Sequence, residues 1–380
     1  MPQISSDRFR RLFCQEFNIG FKLPKSDTCA TCDELNLKLK DVTDDTREEL
    51  SQLRELHLRK AQAGQQMIRE LTEKAKKEPK KYHVIAVDLQ QALPTPKLTV
   101  GPAFYKRKLL SYNLGVHSCS DNQGYMMVWD ETTAKRGAEE ICSCILKYLS
   151  VSQIRAEELH IITDNCRGQN KNWTFISMAA ALVKGGFFKK IHQHFPLVGH
   201  TYLPCDRDFG RIGEFVRYHC PQVYSPQHWV ETIRSANRNK PFAARLLSQE
   251  DFKSFQTIMV RKHSQVGGRK LEFASATSFV VDKDGSELAV HKVYSDNDPL
   301  VERVPLGRAG KPSVGNVFQL PTKYTARVPI PQPKVNDVLS LFRWIPEEYR
   351  VFYNSIVSSG STPRTGVTLL DESDNEEEDL

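Results

Sequence analysis

The stretch YHVIAVDLQQ, residues 82–91, contains an apolar run that ends on an acidic residue, Asp88, and this run indicates the first strand of the core domain. Its valine and isoleucine content favours a buried β-strand. Pro79 lies just before it and ends the preceding segment, since proline cannot supply the backbone donor that a helix interior needs. We therefore place a domain boundary near Lys80.

The segment before this boundary predicts one long helix, from Asp45 to Lys77. It is rich in Glu, Leu, Arg, Lys, Gln and Ala, which are good helix formers, and its leucines recur at helical spacing. Gly64 is a weak point of this helix, and we expect a bend there.

After the boundary, apolar runs alternate with helical patterns. The predicted strands are 82–87, 109–117, 124–129, 159–163 and 189–197, and the predicted helices are 138–149, 173–183 and a segment after Pro204. The first three strands lie too close together in sequence for helical crossovers. The pattern therefore predicts an α/β fold with a mixed sheet.

The remaining sequence predicts a smaller C-terminal region. We expect a helical pair at 229–237 and 249–259, short strands between 272 and 325, and a further helix within 334–356. The predicted organisation is an N-terminal region 1–80, a core domain 81–220, an α+β appendage 221–356 and a disordered acidic tail 357–380.

The charge of the chain favours a polyanionic partner. The net charge is +7, but residues 371–380 hold seven acids and no base. The rest of the chain carries 53 bases against 39 acids, a net charge of +14. Nucleic acid is the leading candidate for the partner, and a basic solvated face is the alternative.

The composition also indicates the compartment. No stretch approaches the roughly 20 apolar residues of a membrane helix, and the polar N-terminus does not resemble a signal peptide, so we expect an intracellular protein without membrane association. Nine cysteines without a regular framework favour reduced thiols or a metal site. The basic run 74–81 fits a nuclear import signal as well as a solvated helix end, and we favour the nucleus.

Three acidic residues stand at the ends of these predicted elements. Asp88 and Asp164 each follow an apolar strand, and Asp206 stands at the start of a helix. Such carboxylates could hold two divalent ions roughly 3.5–4 Å apart for phosphodiester chemistry, with Mg²⁺ or Mn²⁺ as the ions. Each aspartate could instead cap the following turn. The dense polar loop 164–172 favours a binding role for Asp164.

Several segments together carry a resemblance to a known family. They are VIAVDLQQ (84–91), FYKR (104–107), TDNCRGQNKN (163–172), the stretch from Gly199 to Gly210, and IPEEYRVFY (345–353). Over about 13–353 the chain resembles an uncharacterised, transposon-derived family of animal proteins with an RNase H-like, DDE-type transposase core. The resemblance implies a mixed five-stranded sheet flanked by helices, with Asp88 and Asp164 as the first two metal-binding acids.

The third acid stays open among three residues. Asp206, Asp208 and Glu214 all belong to one predicted helix, and residues two apart on a helix face different ways. We favour Asp206, keep Asp208 as a candidate and rank Glu214 last. His200 could assist leaving-group departure or orient a phosphate, and a buried structural histidine is an equal alternative.

Basic and aromatic residues near these acids are candidate contacts for nucleic acid. Neutralising phosphates supplies most sequence-independent affinity. The candidate phosphate contacts are Lys106, Arg107, Arg167, Lys171 and Arg207. Phe104, Tyr105 and Trp173 could stack on bases, but we favour core packing for all three.

Cys29 and Cys32 have the two-residue spacing of a zinc knuckle. A structural zinc needs about four ligands, and the other candidates are His57 and Cys14. In the resembling family a comparable histidine follows the knuckle. We therefore predict a structural zinc site, with two buried free thiols as the alternative.

Two functions are compatible with these features. The first is a DDE-type, metal-dependent nuclease or strand transferase that acts on DNA. The second is a domesticated module that binds nucleic acid or protein and has lost catalysis. The sequence shows no helix-turn-helix or complete finger before the knuckle, so we do not expect autonomous transposition from this chain alone. Homo-oligomerisation stays open.

Overall fold

The computed structural model describes most of the chain. The described residues are 5, 8–9, 12–13, 16, 28–40, 42, 44–260, 262–263, 265–266, 269–282, 284–294, 298–307 and 316–358. They divide into two compact units, 1–57 and 58–380. The predicted zinc ligand Cys14 and residues 359–380 of the predicted acidic tail lie outside the described residues.

The first unit contains helix α1, Ala30–Lys38, and the beginning of helix α2, Asp44–Lys77. The division between the units falls within α2. The predicted long helix is thus confirmed, and it continues through Gly64. Within the first unit, Arg54 Nε donates to Asn36 Oδ1 at 2.8 Å and so ties the two helices together.

The second unit is built on a mixed sheet of ten strands among the described residues. The strands of this sheet are β1 Tyr82–Leu89, β2 Leu93–Thr95, β3 Leu109–Ser118, β4 Gln123–Asp130, β5 Glu158–Ile162, β6 Lys190–His194, β7 Ala243–Leu246, and β10 Ser278–Asp282, β11 Glu287–His291 and β12 Glu302–Pro305. A separate small ribbon contains β8 Gln265–Val266 and β9 Arg269–Lys270. The α/β class with a mixed sheet is therefore confirmed.

The order of the strands is β12-β11-β10-β6-β5-β1-β3-β4-β7, and β2 pairs with β3. Strands β1, β5 and β6 run parallel to each other, as do β4 and β7. The β1–β3 and β3–β4 pairs are antiparallel, as expected for strands joined by short connections. The sheet is wider than the predicted five strands because β10, β11 and β12 extend it beyond β6, β7 extends it beyond β4, and β2 pairs with β3.

Helices cover both faces of the sheet. They are α3 Gly101–Phe104, α4 Ala138–Ser152, α5 Trp173–Lys184, α6 Pro204–Tyr218, α7 Pro226–Ser235, α8 Gln332–Ser340 and α9 Glu347–Ser358. Alternation along β1 decides which face each residue serves. Ile85 and Val87 pack in the core that contains α4 and α5, whereas Val84 and Ala86 pack in the core that contains part of α2.

The predicted helix 249–259 is wrong. Two short 3₁₀ turns, Gln249–Asp251 and Gln256–Ile258, stand in its place. The backbone N–H groups of Lys253 and Phe255 donate to side chains of α4, to Ser143 Oγ and Glu139 Oε1, so they are not available for helical bonds. Tertiary bonds therefore override the helical pattern.

The last helix, α9, continues to Ser358, past the predicted start of the tail at 357. Tyr353 and Ile356 of α9 pack with Leu109 at the start of β3. Among the described residues, no helix has the length and apolar character needed to cross a membrane.

We predict that Gly115→Ala will destabilise the second unit. Gly115 lies opposite Asp88 in the sheet, and a Cβ there would come within 2.8 Å of the Phe209 ring of α6. We expect the free energy of unfolding to fall by about 1–3 kcal/mol, measured by chemical denaturation.

Gly213→Ala, in the helix that packs against Gly115, is the control. A Cβ at Gly213 has no atom within 4 Å, so alanine should stabilise α6 by about 0.5–1 kcal/mol through its better helix propensity. Equal effects from the two substitutions would contradict the close packing of α6 on β3.

Candidate functional site

Asp88 and Asp164 lie at the same edge of the sheet. Strands β1 and β5 are parallel neighbours, and their last register pair is Ala86 with Ile162. Asp88 lies two residues after Ala86, and Asp164 lies two residues after Ile162. Because side chains alternate along a strand, both aspartates belong to the same face as that pair. The carboxyl ends of adjacent parallel strands thus bring the two acids together.

The electrostatics of Asp88 reflect these neighbours. Burial, followed by the negative charges of Asp164 and Asp206, raises the pKa of Asp88 to about 7. The backbone N–H of Leu89 donates to Asp88 Oδ1 at 2.9 Å and partly opposes this rise. A carboxyl group with this pKa keeps its proton more readily than an exposed aspartate. It would lose that proton when a cation binds beside it.

Asp164 is held by its own loop. Its Oδ1 accepts from the backbone N–H of Cys166 at 3.1 Å and from the side-chain amide of Asn170 at 2.5 Å. Gln193 of β6 donates to the carbonyl of Asn170 at 2.8 Å, which connects this loop to the sheet. The polar residues predicted to bind a ligand are therefore also the residues that shape the loop.

The three candidates for the third acid lie in different surroundings on α6. Asp206 is exposed in the first turn, where its Oδ2 accepts from the backbone N–H of Leu203 at 2.7 Å. Asp208 is buried, and its Oδ2 lies 2.6 Å from Nδ1 of His117. Glu214 is exposed farther along the helix. Of the three, Asp206 is the one that contributes to the raised pKa of Asp88.

His200 lies just before α6, half-buried, with its ring 6.5 Å from that of Tyr202. Its carbonyl oxygen accepts from the side-chain amide of Gln65 at 2.8 Å. The catalytic role predicted for His200 stays a prediction.

Four of the predicted phosphate contacts are at least partly exposed. Lys106 Nζ lies 3.1 Å and Arg107 Nε lies 3.8 Å from the carboxylate of Asp337 on α8. Arg167 and Arg207 are exposed, and the guanidinium of Arg207 also donates to Asn122 Oδ1 at 3.1 Å. An incoming phosphate would compete with Asp337 for the first two cations.

The fifth, Lys171, is buried within its loop. Its ammonium group donates to Asn165 Oδ1 at 2.9 Å and to the carbonyls of Ala274 and Ala276 at 3.2 and 2.7 Å. Burial lowers the pKa of Lys171 to about 8. Lys171 therefore fastens the loop to the chain before β10, and a phosphate could reach it only if the loop moved.

The predicted core packing of Phe104 and Tyr105 is wrong. Their side chains are 81% and 84% exposed, and their rings contact each other edge to face with centroids 5.1 Å apart. Helix α3 is a single turn that ends at Phe104. The two rings lie at its end and are exposed to solvent rather than packed in a core. Trp173, by contrast, packs against the ring of Phe273.

The predicted cysteine site is present in the first unit. Cys29 caps α1, and its Sγ lies 3.2 Å from Nε2 of His57 on α2. The ligand atoms of Cys29, Cys32 and His57 all lie within 4.8 Å of one another. Burial and the neighbouring Cys29 raise the pKa of the Cys32 thiol. Two thiol groups and one imidazole are a donor set that can bind a metal such as zinc.

The sequence analysis missed a group of three histidines, His160 on β5 with His192 and His194 on β6. One ring nitrogen from each of them also lies within 4.8 Å of the others. The pattern HQH, residues 192–194, is a signal that could have found it, since alternate strand residues face the same side.

Comparison with known proteins gives one partial match. A family model described as "Domain of unknown function (DUF7869)" matches residues 107–284. No curated protein matches the chain. No solved structure matches it either. The match includes β3 to β6 and the segments that carry Asp164 and Asp206, and it begins after Asp88.

We predict that the effect of Asp88→Asn on the stability of the metal-free protein depends on pH, because the fold disfavours the ionised form of Asp88. The folded-state pKa is raised from 3.8 to about 7, so the stability contributed by the protonated carboxyl is present at low pH and is lost as pH rises towards 7. The variant does not ionise. The free energy of unfolding of the variant, relative to that of the wild type, should therefore rise by about 2 kcal/mol between pH 5 and pH 8.

Chemical denaturation in the presence of a chelator measures this difference. Asp284→Asn is the control, because Asp284 is exposed at a left-handed turn position that asparagine also adopts. A stability difference for Asp88→Asn that stays constant with pH would contradict the electrostatic account.

We predict that the cysteine site binds Co²⁺, a spectroscopic substitute for zinc, with absorption from thiolate ligands. Cys32→Ser should reduce that absorption because it removes one of two thiolates in the group. Cys220→Ser is the control, since Cys220 contacts Thr232 and the carbonyl of Gln222 instead. Absence of thiolate absorption in the wild type would contradict the site.

Proposed function

We propose that this chain is a transposon-derived, DDE-type nuclease with an RNase H-like core. In this proposal Asp88, Asp164 and Asp206 hold two Mg²⁺ or Mn²⁺ ions, and the substrate is DNA. The proposal includes a nuclear location, in line with the basic run at the end of α2.

The arrangement of the central strands supports the proposed core. The order β6-β5-β1-β3-β4 contains three antiparallel strands joined by short connections, followed by two strands parallel to β1. This subset agrees with the mixed five-stranded sheet that the family resemblance implies. In this arrangement β1 is central, so Asp88 near the end of β1 lies beside Asp164, which follows the parallel strand β5.

The single observation that supports the proposal most is the electrostatic coupling of the acids. Asp164 and Asp206 both raise the pKa of Asp88, although the three residues come from two strand ends and a helix start. A buried carboxyl group whose pKa is raised by two neighbouring carboxylates is costly in a fold that only needs caps. A bound cation would reverse this cost because its charge stabilises all three ionised forms.

Each acid would have a distinct part in holding the ions. A metal pair supplies an activated water and stabilises both oxygens of the phosphodiester displacement. Asp88 would lose its proton to become a ligand. Asp164 has one oxygen fixed by Cys166 and Asn170, so its Oδ2 is the atom left to turn towards an ion. Asp206 caps α6 through Oδ2, and its charge contributes to the raised pKa of Asp88, which makes it the candidate for the third ligand.

The surface chemistry supports a nucleic-acid substrate. The body of the chain is basic, and the exposed pair Phe104 and Tyr105 is followed directly by Lys106, Arg107 and Lys108. Exposed rings give bases a surface to stack on, and the adjacent cations attract phosphates. DNA is the natural substrate of the transposase family that the chain resembles.

One observation favours the second function, a domesticated module without catalysis. Among the described residues, the groups of three or more potential ligands with ligand atoms within 4.8 Å of one another consist of cysteines and histidines and do not contain Asp88, Asp164 and Asp206 together. The three carboxylates would have to draw closer to share two ions. In the second function they do not, and the basic surface binds nucleic acid alone.

A cleavage assay on supercoiled and linear DNA, with Mg²⁺ or Mn²⁺, tests the proposal. We predict metal-dependent cleavage by the wild type and its loss in Asp88→Asn and Asp206→Asn, with DNA binding retained. Glu214→Gln is the matched control on the same helix and should remain active, because Glu214 is exposed and does not contribute to the raised pKa of Asp88.

Cleavage that survives Asp88→Asn would overturn the assignment of the metal site. A folded wild type that binds DNA but cleaves none of the substrates with either ion would establish the second function instead. Loss of activity in Glu214→Gln but not in Asp206→Asn would assign the third acid to Glu214 instead of Asp206.

A further inference from the structure

Three histidines lie side by side on one face of the sheet, on two parallel strands. His160 of β5 is the register partner of His192 of β6, and His194 follows two residues later on the same face of β6. The His160 ring stacks on the His192 ring with centroids 4.2 Å apart and on the His194 ring at 5.3 Å. We refer to these three residues as the histidine group.

One pair of ring nitrogens in the histidine group is in close contact. His160 Nδ1 lies 3.0 Å from His194 Nε2. Glu158, also on β5, places its Oε2 at 3.3 Å from His192 Nε2 and at 3.7 Å from His160 Nε2. Four potential ligand side chains thus meet within one small region of two adjacent strands.

The group has unsatisfied polar atoms. The Nε2 atoms of His160 and His192 are buried and have no aligned hydrogen-bond partner, even though Glu158 is near. A buried polar atom without a partner costs free energy, so native structures normally avoid it. In the cluster, His192 Nε2 is open to a further ligand, and His160 Nε2 can donate to Glu158 once its ring is oriented.

The charge states of His192 and His194 suit a cation. Burial lowers the pKa of His192 to about 4, and burial also holds the pKa of His194 well below its ordinary value. Neutral imidazoles present lone pairs, and the carboxylate of Glu158 supplies a negative charge beside them. A protonated cluster would instead repel a cation.

We propose that the histidine group is a binding site for one transition-metal ion of the zinc class, with His160, His192 and His194 as ligands and Glu158 beside them. Imidazole nitrogens prefer zinc, copper, nickel or cobalt, whereas magnesium and calcium prefer oxygen ligands. The site is therefore chemically different from the carboxylate site of Asp88, Asp164 and Asp206.

The dimensions of the group are close to those of a metal site. Two nitrogens that bind one zinc at roughly 2.0–2.1 Å in tetrahedral geometry lie about 3.3 Å apart. The observed 3.0 Å between His160 Nδ1 and His194 Nε2 would need to open only slightly. Glu158 can then accept from His160 Nε2 and orient that ring, as carboxylates commonly do for metal-bound histidines.

Such an ion would fix β5 and β6 next to the Asp164 loop. The backbone N–H of Thr163 donates to the carbonyl of His194 at 3.1 Å, and Asp164 is the next residue. Gln193, between two members of the group, donates to the carbonyl of Asn170 in that loop. The ion would therefore hold the strand ends that carry the loop.

The test uses the full chain with Cys29→Ser and Cys32→Ser, so that thiolates do not bind the probe, and with excess Mg²⁺ to occupy carboxylates. Co²⁺ is the probe. We expect one Co²⁺ per chain with visible absorption, no thiolate absorption, and only nitrogen and oxygen neighbours by X-ray absorption spectroscopy. His192→Gln should weaken binding by on the order of 100-fold.

His83→Gln is the matched control, because His83 is also buried on a strand but is bonded to the hydroxyl of Tyr148. It should leave Co²⁺ binding unchanged. A folded chain that binds no Co²⁺ under these conditions, or that binds it equally well after His192→Gln, overturns the proposal and leaves a stack of neutral imidazoles. If His192→Gln does not fold, the nitrogen count from X-ray absorption decides.

Discussion

The parallel pairing of β1 with β5 is the constraint on which the candidate site depends. It fixes Ala86 beside Ile162, and therefore sets the residues that follow, Asp88 and Asp164, at one edge of the sheet. Without this register the two acids would be remote in a chain of this length. The cost of placing them together is visible in the raised pKa of Asp88. That cost is the physical reason to look for a cation at this edge.

Helix α6 supplies the second constraint, through its close approach to β3. Gly115 has no side chain, so Phe209 can lie directly against the strand. This contact fixes the rotation of the helix, and the rotation separates two neighbouring acids. Asp208 turns inwards to His117, whereas Asp206 stays exposed at the first turn, where its charge reaches Asp88. One helix thus provides a buried structural pair and a candidate ligand.

The sequence predicted those features that depend on local pattern. Apolar runs located β1, β3, β4, β5 and β6, and the helical repeat located α2, because burial on one face imposes a period on the chain. It did not predict the turns at 249–258, whose backbone donors bond to α4, or the pairing of β10 with β6, which joins distant segments. It left the third acid open because only packing sets the rotation of α6. The burial of Lys171 and the exposure of Phe104 also depend on tertiary contacts.

The second unit combines three carboxyl groups near one edge of the sheet with three imidazoles on two adjacent strands, and these two donor sets would select different cations. We expect the three aspartates to bind divalent ions together. The most direct test is a crystal soaked in Mn²⁺ and measured for anomalous scattering. We expect a peak, or a close pair of peaks, within ligand distance of Asp88, Asp164 and Asp206. A fully soaked crystal with no anomalous peak between these carboxylates would contradict it.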